Sequence, residues 1–374
     1  MSYDSRVEIY KKIESHRQRP LITYITSGRP GDRSTGVIAS DAVREIIDQL
    51  ALIPPNTKEI DLLINSYGGD GLTSWRIISL IREFLGSDGI ITTLVPFYAF
   101  SAGTLLCLGS NEIFLHPRAC LGPVDPQIEV HNQSGTQKFA YEDLAAYTNF
   151  LKEEGGLTEQ KEKSSLLGSL VSEIKPSVIG ASKRSSMQSK VMAEKLLKLH
   201  MSGVDAQKAE LIAEKLNKSY FSHGHAVSRE EAIILGLKIA GRDETIEELI
   251  WSVFTDIEAE MKMREVFDPT MIYLSDPLSA KLLDPPPVIS VPGNAPPQIA
   301  QQIWQQVLNN LNSNQGPVIE FDLLNAVIES KQLSSKFITK GKFFGTRLAD
   351  LNFLIGRPIL EAGWRQSNAI STTE

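Results

Sequence analysis

The feature that most constrains the fold is a strand, turn and helix pattern that occurs twice in succession. Glu59–Asn65 reads EIDLLIN, a nearly continuous apolar run typical of a strand buried on both faces. The turn SYGGDG and an amphipathic helix over 73–85 follow, and the same order returns with IITTLVP (90–96) and SAGTLLCLG (101–109). Strands that alternate with helices predict βαβ units and a mostly parallel sheet.

Gly68-Gly69 and Ser101 each follow one of these strands directly. Active sites of parallel sheets lie beyond the carboxyl ends of the strands, so we expect the two to converge. Paired glycines permit a positive φ and a close approach to a substrate carbonyl, although a tight turn alone would also use them. Ser101 fits a helix cap or a nucleophile; in the second case the N–H groups of Gly69 and Ala102 are the expected oxyanion donors. No phosphate-binding glycine motif occurs.

Composition excludes several classes of function. The chain has 374 residues, 42% of them hydrophobic, which predicts two domains. Its formal charge of −7 and pI near 5.6 argue against binding to nucleic acid or to an anionic membrane. Its two cysteines, Cys107 and Cys120, lie in apolar sequence and are expected to be buried and reduced. With no apolar signal core and no stretch long enough to insert into a membrane, a cytoplasmic location is predicted.

The remaining sequence divides into three parts. From 140 to 265 the pattern is almost wholly helical, after a loop or small insertion at 129–140. DPPPVISVPGNAPP (284–297) predicts a linker, because proline neither continues a helix nor donates to a sheet. Beyond it, QIAQQIWQQVLNNLN and FDLLNAVIES predict two helices, followed by short strand-like runs.

Taken together, the motifs resemble those of the serine dehydrogenase proteinase family, which is related to signal peptide peptidase A and to Clp protease subunits. The resemblance lies in IDLLINSYGGDG, LVPFYAFSAGTLLCLGSNEIFLHP and ACLGPVDPQ, and more thinly in SYFSHGHAVSREEAIILGL. It implies an α/β fold of the Clp/crotonase type, a ββα spiral with a mostly parallel sheet, a helical segment and a small C-terminal accessory region.

The resemblance also implies a domain plan and an activity. A serine peptidase domain is expected over 1–268, a Pro-rich linker over 269–297 and an accessory region of helices plus short strands over 298–374. The implied activity is that of an endopeptidase on polypeptide substrates, needing no cofactor and working as a homo-oligomer (a trimer, hexamer or ring). No ATPase motif occurs in the sequence, so a partner ATPase stays unknown.

The general base is harder to assign from the resemblance. The histidine of Clp subunits would fall on Val124, so a Ser-His-Asp arrangement of that kind does not fit. A lysine base, as in signal peptide peptidase A, must be neutral, and burial lowers a lysine pKa. Lys183 is the first choice, although an ungapped match lands on Arg184, which stays protonated. Lys190 and Lys152 are the alternatives, and each of these lysines could instead lie on a solvated face.

Further residues and functions stay open. Gly68 and His223 are possible additional site residues, the latter because the family has a histidine in this loop. His223-Gly-His225 lacks a third ligand at informative spacing, so no metal site is predicted. The competing functions are a catalytically inactive scaffold and a crotonase-like acyl-CoA enzyme. The second would need an acidic catalytic residue and a basic patch for the CoA phosphates, and neither is apparent.

Overall fold

The protein was analysed as a computed structural model. It describes residues 3–31, 34–132, 135–156, 168, 170–171, 174–218, 224–284, 296–312, 316–348 and 352–369. All structural statements below concern these residues.

An eight-stranded mixed sheet, parallel in one half and antiparallel in the other, organises the molecule. Four strands run parallel in the order β1, β2, β3, β5, and their bounds are β1 Leu21–Thr26, β2 Glu59–Asn65, β3 Ile90–Val95 and β5 Glu112–Leu115. The connecting helices are α2 Ala42–Ala51, α3 Gly71–Leu85 and α4 Ala102–Leu108. A second, two-stranded parallel sheet joins β4 (Tyr98–Ala99) to β6 (Cys120–Leu121). The predicted α/β class is confirmed.

Both faces of the sheet are covered by helices. On one face, Ile22 and Tyr24 of β1 pack in the larger core with α2, α3 and α4. On the other, Leu21 and Ile25 pack with α1 (Tyr3–Arg17) and with a later helix, α9 (Glu244–Glu260). Successive strand residues point to opposite faces, so burial of all six β1 side chains requires two apolar layers.

The middle of the chain is helical, as predicted, after a hairpin of β7 (Gln127–Asn132) and β8 (Gly135–Ala140). This hairpin occupies most of the predicted loop or insertion. The helices here are α5 Tyr141–Glu153, α6 Pro176–Lys198, α7 Ala206–Lys218, α8 Arg229–Leu235, α9 Glu244–Glu260, α10 Pro269–Leu274 and α11 Pro277–Ala280. The first part of the predicted linker is therefore helical, and 285–295 lie outside the described residues.

The prediction for the C-terminal region is wrong in its element types. One helix, α12 (Pro297–Asn312), precedes four strands: β9 Ile319–Glu329, β10 Leu333–Arg347, β11 Phe353–Gly356 and β12 Ile359–Asn368. FDLLNAVIES was predicted as a helix, yet it lies in β9, which is hydrogen-bonded between β1 and β10. Ladder pairing on both sides outweighs the helical preference of its leucines and alanine. These strands extend the central sheet; the domain boundaries stay a prediction.

A buried ion network attaches this extension to the N-terminus. The Arg6 guanidinium, fully buried, donates two hydrogen bonds to Glu329 at 2.9 and 3.0 Å and one to Asp256 at 2.6 Å. Tyr10 Oη adds a bond of 2.7 Å to Glu329. Buried charges persist in a fold when they are paired and hydrogen-bonded, as here.

Both cysteines are free thiols. Cys107 is buried as predicted, whereas Cys120, in the short second sheet, is only half-buried.

Candidate active site

The Gly-Gly turn connects β2 to α3 at the carboxyl edge of the sheet. Gly68 and Gly69 have φ of 115° and 145°, values that favour glycine over any residue with a side chain. A Cβ on Gly69 would lie 2.2 Å from the Ile38 carbonyl oxygen. The next residue, Asp70, is the N-cap of α3: its carboxylate accepts hydrogen bonds from Leu72 N–H (3.0 Å) and Thr73 N–H (3.2 Å).

Ser101 stands at the start of α4 in a strained conformation. Its φ of 50° and ψ of −114° are rare for a residue with a side chain. Its hydroxyl accepts no hydrogen bond from the first turn of α4, so the side chain does not cap the helix as a serine at this position ordinarily does. A Cβ on Gly68 would lie 2.7 Å from Ser101 Cβ and 2.9 Å from the Phe100 carbonyl oxygen. The turn and the serine are therefore in direct contact, and only glycine fits between them.

Several hydrogen bonds fix this contact. Gly68 N–H donates to Ser66 Oγ (3.0 Å), and Ser66 Oγ contacts Thr26 Oγ1 at 2.7 Å on β1. Ser74 Oγ on α3 donates to the Ala102 carbonyl at 2.8 Å. The two loops are thus held to the sheet and to each other by buried groups, which is the rigidity that a preorganised site needs.

Two backbone N–H groups beside Ser101 are available to a ligand. Ile38 pairs with the turn through Gly68 O and Asp70 N–H, both at 2.8 Å, so the N–H of Gly69 points to the opposite edge. Ala102 N–H is the first of its helix and has no intrahelical acceptor. Within the described residues neither N–H donates to a protein group.

A cavity of about 220 Å³ opens in front of these groups. Its apolar wall comes from Leu105, Val124 and Met192. Its polar lining includes three side chains on one face of α6, with helical spacing: Ser185, Gln188 and Ser189. Sequence reasoning missed these three, although polar residues at i, i+3 and i+4 on an otherwise amphipathic helix would have indicated them.

Two of the lysines predicted as bases lie elsewhere on α6, and the third, Lys152, lies on α5. Lys183 is exposed, with its Nζ 5.9 Å from the centre of the Tyr141 ring, and Lys190 Nζ pairs with Glu214 at 3.0 Å. At 3.6 residues per turn, Lys183 is about 160° and Lys190 about 140° around α6 from Ser185. Arg184 and Lys152 are exposed too. Among the described residues that line the cavity, none is a lysine or a histidine.

His223 lies outside the described residues, and described residues on either side of it are hydrogen-bonded to the segment 121–124. Val124 N–H donates to the Leu216 carbonyl at 2.9 Å before the loop, and Leu121 and Val227 exchange bonds of 2.8 and 3.0 Å after it. His225 contacts Glu231 at 3.2 Å. Across the described part of the chain, no group of three potential metal ligands is found.

A competing thiol nucleophile is unfavourable. Cys107 is on the same helix as Ser101, but it is fully buried, and burial raises its pKa well above the ordinary value. Its thiol therefore stays protonated and inert. Ser101, in contrast, is only partly buried and lines the cavity.

Comparison with known proteins finds a match to one family over the first part of the chain. Residues 3–143 match the ClpP-like SDH-type serine proteinases. The matched segment contains the Gly-Gly turn, Ser101 and Ala102, and it confirms the resemblance inferred from the motifs.

Individual relatives are distant. The uncharacterized protein MJ0137 of Methanocaldococcus jannaschii is 24% identical over 264 residues, which cover 70% of this chain and 81% of that protein. Among solved structures, a mutant of the 1510-N membrane-bound stomatin-specific protease aligns with 16% identity and a TM-score of 0.35, over 56% of this chain and 77% of that one. ClpP1 from Listeria monocytogenes aligns with 16% identity and a TM-score of 0.32, over 63% and 98%.

Within the described residues, every helix is too short or too polar to cross a bilayer.

Proposed function

We propose that this chain is a serine endopeptidase that hydrolyses polypeptides through an acyl-enzyme on Ser101. The observation that carries the proposal is the strained, uncapped serine in contact with Gly68, beside two unused N–H groups. Ser101 Oγ would attack the scissile carbonyl, and the Gly69 and Ala102 N–H groups would bind the developing oxyanion. Water would then release the acyl group. The match of residues 3–143 to a serine proteinase family supports the same chemistry.

The apolar wall of the cavity favours a substrate that has an apolar side chain next to the scissile bond. Leu105, Val124 and Met192 are nearly fully buried, so they present an apolar surface to a space of about 220 Å³. Asp70, the acidic residue in the lining, is already engaged by two backbone N–H groups and by Thr73 Oγ1 at 2.7 Å. A medium-sized aliphatic residue would fill this space, whereas a charged one would lose its hydration there.

Labelling with a fluorophosphonate probe tests the proposal. The probe phosphonylates activated serines, so peptide mass spectrometry should find the label on Ser101 and no label in Ser101→Ala. Ser185→Ala is the matched control, since it removes another hydroxyl from the same cavity, and it should keep the label. Labelling of a different serine, or none in any assembled state, would contradict the proposal.

The base of the proposed reaction comes from one of the three lysines predicted from the sequence: Lys183 in a Ser-Lys dyad, Lys190 or Lys152. None of the three lines the cavity in the described structure, so the base would reach Ser101 only if its helix turned about its axis or if a second subunit supplied the lysine. Loss of a general base lowers the rate by roughly 10²- to 10⁴-fold.

The three candidates are separated by Lys183→Met, Lys190→Met and Lys152→Met, each assayed for peptide hydrolysis across pH. The variant that lacks the true base should lose most of its rate of peptide hydrolysis, together with the step in the pH profile that this base causes. The other two variants should hydrolyse the peptide at nearly the wild-type rate. Full activity in all three would overturn this assignment of the base without touching that of Ser101.

One observation favours an inactive scaffold as the second candidate. The described lining of the cavity holds no lysine or histidine, so a proton acceptor for Ser101 is not in place. In that case Ser101 would resist the probe while the protein stays folded and assembled.

The location, cofactor requirement and oligomeric state of the proposed peptidase are inferred from the sequence and from the family match. We infer a cytoplasmic enzyme without a cofactor, which assembles into a trimer, hexamer or ring of identical chains. Fractionation of cells that express the full chain, with mass measurement of the native particle, tests both points.

A further inference from the structure

The last strand of the sheet, β12, has one hydrogen-bonded edge and one free edge. Nine of its ten residues pair with β10 along one side, and no described strand pairs with the other. A free edge presents a row of N–H and C=O groups that favours pairing with another strand.

Side chains on one face of β12 hold the strand in place, and this leaves its second edge available for pairing. Trp364 Nε1 donates to Asp41 at 2.8 Å, and Gln366 Nε2 donates to Glu45 at 2.8 Å, both near or on α2. From Glu361 to Asn368 the pairing with β10 is regular, and the register shifts only further along, between Lys340 and Gly341 of β10. The free edge is therefore straight over these eight positions.

The exposed charges on this edge are arranged symmetrically. Glu361 and Arg365 lie on the same face of β12, two residues to either side of Gly363, and are paired with each other within the chain. A Cβ on Gly363 would meet no atom within 4 Å, so the space between the two charges is open.

We propose that β12 pairs antiparallel with β12 of a second copy of this chain, about a two-fold axis at Gly363, to form one continuous sheet across two subunits. In an antiparallel pair, opposed residues have side chains on the same face. The two-fold at Gly363 places Glu361 opposite Arg365 of the partner subunit, and Arg365 opposite the partner's Glu361. Both ion pairs form at once, as expected of an interface that uses the same surface on both copies.

Neighbouring registers do not pair these charges. With the axis at Ala362, Glu361 would face the partner's Gly363 and Arg365 would face the partner's Ile359. With the axis at Trp364, Glu361 would face the partner's Ser367, and the two indoles would oppose each other. The charges therefore select one register.

A cysteine placed on the axis tests this register. Opposed Cα atoms in antiparallel strands are roughly 4.5–5.5 Å apart, within disulfide range. In a Cys120→Ser background, with Cys107 buried, Gly363→Cys should oxidise to a covalent dimer. Ser367→Cys is the matched control: it is exposed on the same strand but about 27 Å from its own copy, at roughly 3.4 Å per residue. It should stay a single chain.

A charge exchange tests the partner contacts separately from the pair within each chain. With Glu361→Lys or Arg365→Glu, the dissociation constant of the dimer formed through this edge should rise roughly tenfold, because like charges then face each other across the axis. Mixed together, the two variants should associate as a heterodimer, because opposite charges again face each other across the axis although both internal pairs are repulsive. Recovery on mixing also shows that both variants fold.

Glu320→Lys is the control. It breaks the exposed pair between Glu320 of β9 and Lys342 of β10, and it should leave association unchanged.

Failure of Gly363→Cys to crosslink where the wild type associates, equal crosslinking of Ser367→Cys, or no recovery on mixing would overturn the interface. None of these outcomes depends on peptidase activity, so the interface and the proposed function stand or fall separately.

Discussion

The two halves of the central sheet use the chain differently. In the parallel half, β2 and β3 end in turns with unusual backbone angles, unused N–H groups and a cavity. In the antiparallel half, β9 and β10 form long regular ladders, and Glu329 holds a buried arginine. The proposed reactive serine therefore lies in the half with strained backbone, whereas the buried ion network that we expect to stabilise the fold lies in the half with regular ladders.

The largest expected effect separates activity from stability. Ser101→Ala should lower peptide hydrolysis roughly 10³-fold or more, because no acyl-enzyme can form. The unfolding midpoint should stay within a few degrees of wild type, since the hydroxyl makes no capping bond. Hydrolysis assays and thermal unfolding on the same preparations check both. A large stability loss would mean that the hydroxyl has a structural role instead.

The converse effect is expected in the antiparallel half. Arg6→Met should lower the free energy of unfolding by about 3–5 kcal/mol, because the buried carboxylates of Glu329 and Asp256 would lose the cation that balances their charge. Labelling of Ser101 in the folded protein should be unchanged. Lys11→Met, which breaks an exposed pair with Glu8, is the control and should cost at most about 1 kcal/mol. Equal losses in the two variants, measured by urea unfolding, would contradict the role of Arg6.

The sequence was sufficient for the parallel half but not for the antiparallel half. The bounds of β2 and the start of α4 follow from an apolar run, a glycine pair and a lone serine, all local signals. The strand β9 was predicted as a helix because a short apolar run fits both periods, and its partners β1 and β10 are distant in sequence. The pairing of Arg6 with Glu329 is likewise invisible without the fold.

The site was predicted in part, for the same reason. The contact between Gly68 and Ser101 follows from the order of the strands. The side of α6 that faces the cavity depends on how the helix packs, which placed Ser185 and Gln188 there and Lys183 on the far side. Spacing along a helix gives its faces but not which face is turned inward.

A smaller effect is expected from the turn itself. Gly68→Ala adds a Cβ at 2.7 Å from that of Ser101 with φ at 115°, so it should cost about 1–3 kcal/mol of stability and slow labelling by displacing the serine. Gly241→Ala is the control, since a Cβ there meets open space. Denaturant unfolding and labelling rates measure both; an unaffected labelling rate would mean that the serine does not depend on this contact.

The smallest expected effect concerns pH. His200 contacts the Leu108 carbonyl at 2.9 Å, at the far end of the helix that begins after Ser101, and burial lowers its pKa below the ordinary 6.5. The folded state therefore favours neutral His200. Its contribution to stability is complete above pH 6.5 and decreases as the pH falls through the lower folded-state pKa. His200→Gln should flatten the loss of thermal stability between pH 7 and 5; an unchanged slope would contradict this assignment.

The most direct test of the central claim is a crystal structure of the fluorophosphonate-treated protein. The account predicts a covalent bond from Ser101 Oγ to phosphorus, with the phosphonyl oxygen roughly 2.7–3.1 Å from the nitrogens of both Gly69 and Ala102. An adduct on another residue, or a phosphonyl oxygen directed away from these two N–H groups, would contradict it.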